Sequence, residues 1–74
     1  MNLDERILEI AREVFDMTEV YLELSQRNCD RWDSLRHLTF ASEIEEAFDI
    51  ELEPEEIAEM TDMHRVIAMV QSKL

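Results

Sequence analysis

No glycine occurs anywhere in the sequence, and proline and cysteine occur once each, at Pro54 and Cys29. Calcium loops turn on an obligatory glycine, so that class of metal site is excluded. With one proline and an abundance of Glu, Leu, Met, Arg and Ala, little interrupts helix formation, and the chain reads as all-α. A lone cysteine cannot form an internal disulfide, so no framework of an oxidising compartment is present. Its only cationic neighbours in sequence are Arg27 and Arg31, and Cys29 reads as a small, semi-buried loop residue, not a nucleophile. No apolar run approaches the ~20 residues of a membrane-spanning helix. The start, "MNLDERILEI", is acidic within five residues, unlike a signal or transit peptide. The expectation is a soluble cytoplasmic chain without membrane insertion.

Bases are also scarce. Seven Lys and Arg face nineteen Asp and Glu, a formal charge of −12 that opposes nucleic acid and anionic membranes and favours partners with basic patches. The imbalance is local: residues 43 to 62 hold ten acids and no base, whereas the rest of the chain holds nine acids and seven bases.

What remains, 74 residues at 46% apolar, suffices for one small core and hardly for an enzyme cleft. Leu3, Ile7, Ile10, Ala11 and Val14 fall within one arc of a helical wheel at about 100° per residue, with Phe15 at its edge, predicting a helix over 3–16. Residues 18 to 32, "TEVYLELSQRNCDRW", show no period and read as a long loop, with Trp32 as an apolar lid anchoring it. Asp33 is a good N-cap, and a second helix runs over 34–48 with Phe40, Ala41, Ile44, Ala47 and Phe48 inward. Leu35 falls on the opposite side, among Thr39, Ser42, Glu43 and Glu46, and is predicted to be exposed. Ile50 and Leu52 alternate inward before Pro54 opens a short helix over 54–60. Thr61 or Asp62 caps a last helix over 62–73, with Met63, Val66, Ile67, Val70 and Leu74 inward. The prediction is a four-helix bundle of three longer helices and one short one, a single domain over 1–74, with the long connection between helices one and two.

The two histidines have no ligand-spaced partners, so no metal site is indicated. His37 falls on the buried side of the second helix and reads as a packed histidine beneath the loop. His64 reads as a surface residue. Ser34 and His37 with a nearby acid have the composition of a catalytic triad, but 74 residues leave little room for an oxyanion hole and a substrate pocket. A serine opening a helix is better suited to carry a phosphate ester, whose oxygens would meet unpaired backbone N–H groups and the positive end of the helix.

The triplet Asp33-Ser34-Leu35, the "EEAF" that closes the second helix, the "PEEI" that opens the third, the acidity and the length together resemble the acyl carrier and peptidyl carrier protein family over essentially the whole chain. The resemblance implies that Ser34 carries 4'-phosphopantetheine, transferred from coenzyme A by a separate magnesium-dependent phosphopantetheinyl transferase. The arm's thiol would hold acyl groups as thioesters for successive loading and processing enzymes, the carrier itself being no enzyme. In many members the bundle interior or its edge shelters part of the cargo. Asp33 would assist the transfer, Leu35 would be a hydrophobic partner contact, and Glu43 and Glu46 would offer acids to basic enzyme patches. A monomer is expected.

Arg36, His37 and Thr39 depart from fatty-acid carriers, which place an acid or neutral residue after the triplet and another acid where Thr39 stands. Arg36 and Thr39 thus belong to the expected partner face but match the basic patches of fatty-acid enzymes less well. Trp32 before Asp33 resembles discrete carriers of specialised polyketide, hybrid peptide or saccharide-modifying pathways. A D-alanyl or peptidyl-type carrier is an alternative within the superfamily. Outside it stand an unmodified acidic helical adaptor, against which the intact serine argues, and an acidic DNA mimic, which gives Asp33-Ser34-Leu35 no role.

Overall fold

Each helix begins where the sequence supplies an oxygen for its unpaired N–H groups. A computed structural model describes residues 2–74 as α1 (Leu3–Phe15), α2 (Ser34–Phe48), α3 (Pro54–Glu59) and α4 (Met63–Lys73). The side chains of Asn2, Asp33 and Asp62 accept from the backbone N–H of Glu5, Arg36 and Arg65, each at 2.8 Å. Each such cap contributes about 1 kcal/mol. Helix α3 opens with Pro54 in its first turn, and the Glu56 carboxylate reaches back to the Glu53 N–H at 2.8 Å.

The missing glycine leaves its mark at the other ends. Helices often close on a left-handed residue, usually glycine, and here Asp16 and Asp49 take that conformation, each at φ 54°. Aspartate tolerates this region better than most residues. Its negative charge nevertheless sits at the unfavourable end of the helix dipole.

The core draws Ile7, Ala11 and Phe15 from α1, Phe40, Ala41 and Ile44 from α2, and Met63, Val66, Ile67 and Val70 from α4. Val20, Leu24, Cys29 and Trp32 of the long connection are buried with them. At its centre Phe15 meets Trp32 at 5.1 Å and Phe40 at 5.2 Å between ring centroids, while Trp32 meets Phe40 edge-on at 5.7 Å. Such pairs add about 0.5–1.5 kcal/mol each beyond area burial.

Polar contacts fix the path of the connection. The Asn28 side chain accepts from the Ser25 N–H and donates to the Glu23 carbonyl, both at 2.9 Å. Gln26 N–H donates to the Thr61 carbonyl and Met63 N–H to the Leu24 carbonyl, forming a short antiparallel bridge to the start of α4. Arg31 donates to the carbonyls of Phe15 and Asp16, tying the end of the loop to the end of α1.

Several placements differ from the sequence expectation: Ile10, Val14 and Phe48, expected inward, are only half-buried, and Cys29, expected semi-buried, is buried. Phe15, expected at the edge of its face, is fully buried, because Trp32 folds over it. Ala47, expected inward, is exposed. It sits at the rim of the buried arc, and Arg6 lies beside it, donating to its carbonyl and covering the ring of Phe48 at 4.5 Å. Leu74 follows the last turn of α4 and is exposed instead of facing inward. Of the two candidate caps for α4, Asp62 is the one used.

Candidate functional site

The start of α2 is built from below by the loop that precedes it. Trp32 is buried at 2% exposure, and its indole N–H donates to His37 Nδ1 at 2.9 Å. The opposite ring nitrogen, Nε2, lies 2.7 Å from the Ile57 carbonyl of α3. An acceptor at Nδ1 and a carbonyl at Nε2 together require the neutral Nε2–H tautomer. His37 thus joins the loop, the first turn of α2 and the middle of α3, as a packed histidine beneath the loop and not as a free base. His64 is exposed.

Above this relay, Asp33 holds the helix start with both carboxylate oxygens. Oδ1 accepts from Arg36 N–H, and Oδ2 pairs with the Arg36 guanidinium at 3.2 Å. Its carbonyl accepts from His37 N–H at 2.8 Å. Ser34 is the first residue of α2 and is exposed. With Asp33 and His37 fixed on either side, the backbone at Ser34 is set by contacts that do not involve its own side chain.

Leu35 is 75% exposed. Leu38, one turn further on, is 59% exposed beside it, so α2 presents an apolar pair next to Ser34. Leu38 was not singled out from the sequence. Three residues from Leu35 it shares that side of the helix, so a complete wheel would have found it.

Thr39, Glu43 and Glu46 are exposed further along α2, and Thr39 Oγ1 donates to the Leu35 carbonyl at 3.2 Å. These three line a groove between α1 and α2, separate from Ser34. The structure therefore divides the residues read as a partner face into Leu35 and Arg36 beside the serine, and Thr39, Glu43 and Glu46 on the groove. The neighbouring Glu45 has a different task, accepting from Leu52 N–H at 2.8 Å to hold the link between α2 and α3.

Among the described residues no group of three or more His, Cys, Asp or Glu is gathered to hold a metal ion, and no helix is long and apolar enough to cross a membrane.

No protein-family model matches the chain, and no curated protein matches it either. Among solved structures, the holo acyl carrier protein of Geobacter metallireducens superposes with a TM-score of 0.86 at 25% identity, covering 99% of this chain and 86% of that one. The fold is that of an acyl carrier protein. Four helices, no strand among the described residues and a long connection between α1 and α2 are common ground. The architecture is a carrier's, not an enzyme's, which bears on the Ser34–His37 pair: the ring of His37 is committed to Trp32 and Ile57.

Proposed function

We propose that this chain is an acyl carrier, a single carrier domain over residues 1–74, that holds its cargo through 4'-phosphopantetheine esterified to Ser34. The observation that carries the reading is an exposed serine opening α2 behind a capping aspartate, in a fold shared with a holo carrier. When bound, the arm supplies a thiol that holds an acyl group as a thioester.

The residues at the start of α2 suit a phosphodiester. The N–H groups of a helix's first turn lack acceptors within the helix, and the helix dipole favours negative charge there. Of the backbone N–H groups in this turn, the Asp33 side chain takes only that of Arg36. The Arg36 guanidinium is held by one exposed carboxylate and offers a cation that can be shared. On this reading Asp33, on the other side of the serine, assists the transfer. The buried relay below keeps this first turn fixed while the hydroxyl faces solvent.

The partners on this reading are a phosphopantetheinyl transferase, which takes the arm from coenzyme A, and the acyl-loading and acyl-processing enzymes that follow. Leu35 and Leu38 offer them an apolar contact, and Glu43 and Glu46 offer charge. Arg36 sets a condition: a partner meeting the first turn of α2 does best with an acid or neutral group opposite it, which favours enzymes of a polyketide-like or other specialised acyl pathway over basic fatty-acid enzymes.

The test is incubation of the apo chain with coenzyme A, magnesium and an active transferase, followed by intact mass. The expected result is the addition of one phosphopantetheine. Ser34→Ala should take up none and melt within about 0.5 kcal/mol of the parent, since Asp33 still caps α2. A loaded Ser34→Ala chain would place the arm elsewhere. No loading of the parent by several transferases would leave an unmodified acidic adaptor.

A further inference from the structure

We propose that His37 is a proton-operated latch on the turn that carries Ser34. A proton on its ring releases the Trp32 indole and unfastens α3, so the wall beside Ser34 is closed at neutral pH and opens in mild acid. Among the described residues His37 is the one polar side chain buried in the core, at 8% exposure, and the attachment of an arm makes no use of its ring. The latch belongs to the bundle whether or not an arm is present.

The site offers the ring one donor and one acceptor, and only the neutral ring matches both. An indole N–H donates and cannot accept, so its 2.9 Å bond to Nδ1 requires a lone pair there. The Ile57 carbonyl, 2.7 Å from Nε2, only accepts, so the single ring proton sits on Nε2. A second proton has one place to go, Nδ1, where it meets the indole N–H head on. The ring then carries a full charge inside the core, with two stranded donors facing each other. A buried charge without a partner costs more than the remaining bond to Ile57 returns. The ring therefore turns out of the site, and α3 loses the hydrogen bond at Ile57.

No acid is placed to compensate that charge. None of the ion pairs among the described residues includes His37. On the connection, Asp33 gives its oxygens to the Arg36 N–H and guanidinium. On α3 and its cap, Glu56 is held by the Glu53 N–H and Lys73, while Glu53, Glu55 and Glu59 are exposed. Helix α1 meets Trp32 with the apolar ring of Phe15, and at the start of α4 Asp62 is paired with Arg65 and His64 is exposed. On α2 itself the neighbour is Arg36, a cation. The chain's charge of −12 acts mostly through water and supplies no acceptor at Nδ1. What opens is local, because α3 has no fully buried residue. The backbone of the connection holds, since Val20, Leu24 and Cys29 stay buried and the contacts of Asn28 and Arg31 do not involve the ring.

Trp32 is the only tryptophan and His64 the only other histidine, so both ends of the latch can be read separately. The full 15N-labelled chain is titrated by NMR from about pH 7.5 to about pH 5.5, a span in which histidine changes charge and Asp and Glu stay ionised. At the upper end the expected result is an unprotonated Nδ1 on His37 and an indole N–H protected from water. As pH falls, the ring nitrogens, the indole and the α3 amides should change with one midpoint. Protection of the indole and of α3, corrected for intrinsic exchange, should fall by up to about tenfold per pH unit, the slope of one proton. Amides of the connection and of α1 should keep theirs. His37→Gln offers an amide oxygen to the indole and an amide N–H to Ile57 without a titrating group, and should abolish the response, whereas His64→Gln should leave it unchanged. An indole that stays bonded while the ring takes up its proton, different midpoints for the two, or the same response in His37→Gln would overturn the latch. Full protection of the indole and α3 throughout the titration would overturn it as well. Should His37→Gln fail to fold, the midpoints in the parent still decide. Ser34→Ala should titrate as the parent does, so failure here leaves the loading experiment untouched.

Discussion

The long connection between α1 and α2 and the short helix α3 are opposites in the way they are held. The connection is irregular yet sends Val20, Leu24, Cys29 and Trp32 into the core. Helix α3 is regular yet has no fully buried residue, and Met60 at its C-cap is the first side chain to be completely enclosed. Only the half-buried Ile57 packs α3 against the core, and polar contacts complete its attachment: the His37 ring on the Ile57 carbonyl and the Lys73 ammonium 2.8 Å from Glu56. Regular secondary structure is therefore a poor guide to burial here. The side of the Ser34 turn made by the loop is part of the core, and the side made by α3 is a lightly fastened wall. His37 is where the two meet.

The largest effect should come from the loop. Trp32→Ala removes the ring against Phe15 and Phe40 and should cost about 3–5 kcal/mol in chemical denaturation, a large fraction of a small domain's stability. A loss below about 1 kcal/mol would mean that the connection is not part of the core. His37→Phe keeps a ring in place but strands the Trp32 indole N–H, and should cost about 1–3 kcal/mol. The same variant should speed amide exchange in α3 more than in α1 or α4, and uniform acceleration would deny that His37 fastens α3 in particular.

Asp49→Gly sharpens the comparison from the other direction, since it relieves a left-handed aspartate just before the link to α3. It should raise stability by about 0.5–1 kcal/mol in thermal or chemical unfolding, and no gain would show that aspartate is unstrained there. The smallest effect belongs to Glu56. The Glu53 N–H, and then Lys73, hold its carboxyl below the usual carboxylate range. A depressed folded-state pKa contributes stability above the ordinary carboxylate range and loses it as pH falls through the lowered one. Acidification and Glu56→Gln should both loosen α3 locally, seen as faster exchange of its amides while those of the loop hold. Loss of both together would show that the two regions unfold as one.

Much of this was legible in the sequence because the longer helices obey simple rules. Asp33 and Pro54 mark helix starts, and apolar residues at helical spacing place Ile7, Ile44 and Val66 inward. Leu35 was placed outward by the same wheel. The failures fall where one helix's wheel depends on its neighbour. Ala47 and Phe15 lie at arc edges, where Arg6 and Trp32 from other elements decide what is covered. The bond from Trp32 to His37 joins the last residue of the aperiodic connection to the first turn of α2, five residues on, so no helical period signals it. The groove was hidden for the same reason, needing α1 and α2 together.

The claim that Ser34 bears the cargo-carrying arm meets its most direct test in the mass and peptide map of the chain purified from its own host. The account predicts one phosphopantetheine, with or without an acyl group, on the peptide containing Ser34. A bare Ser34 in cells with an active transferase, or an arm mapped to another residue, would contradict it.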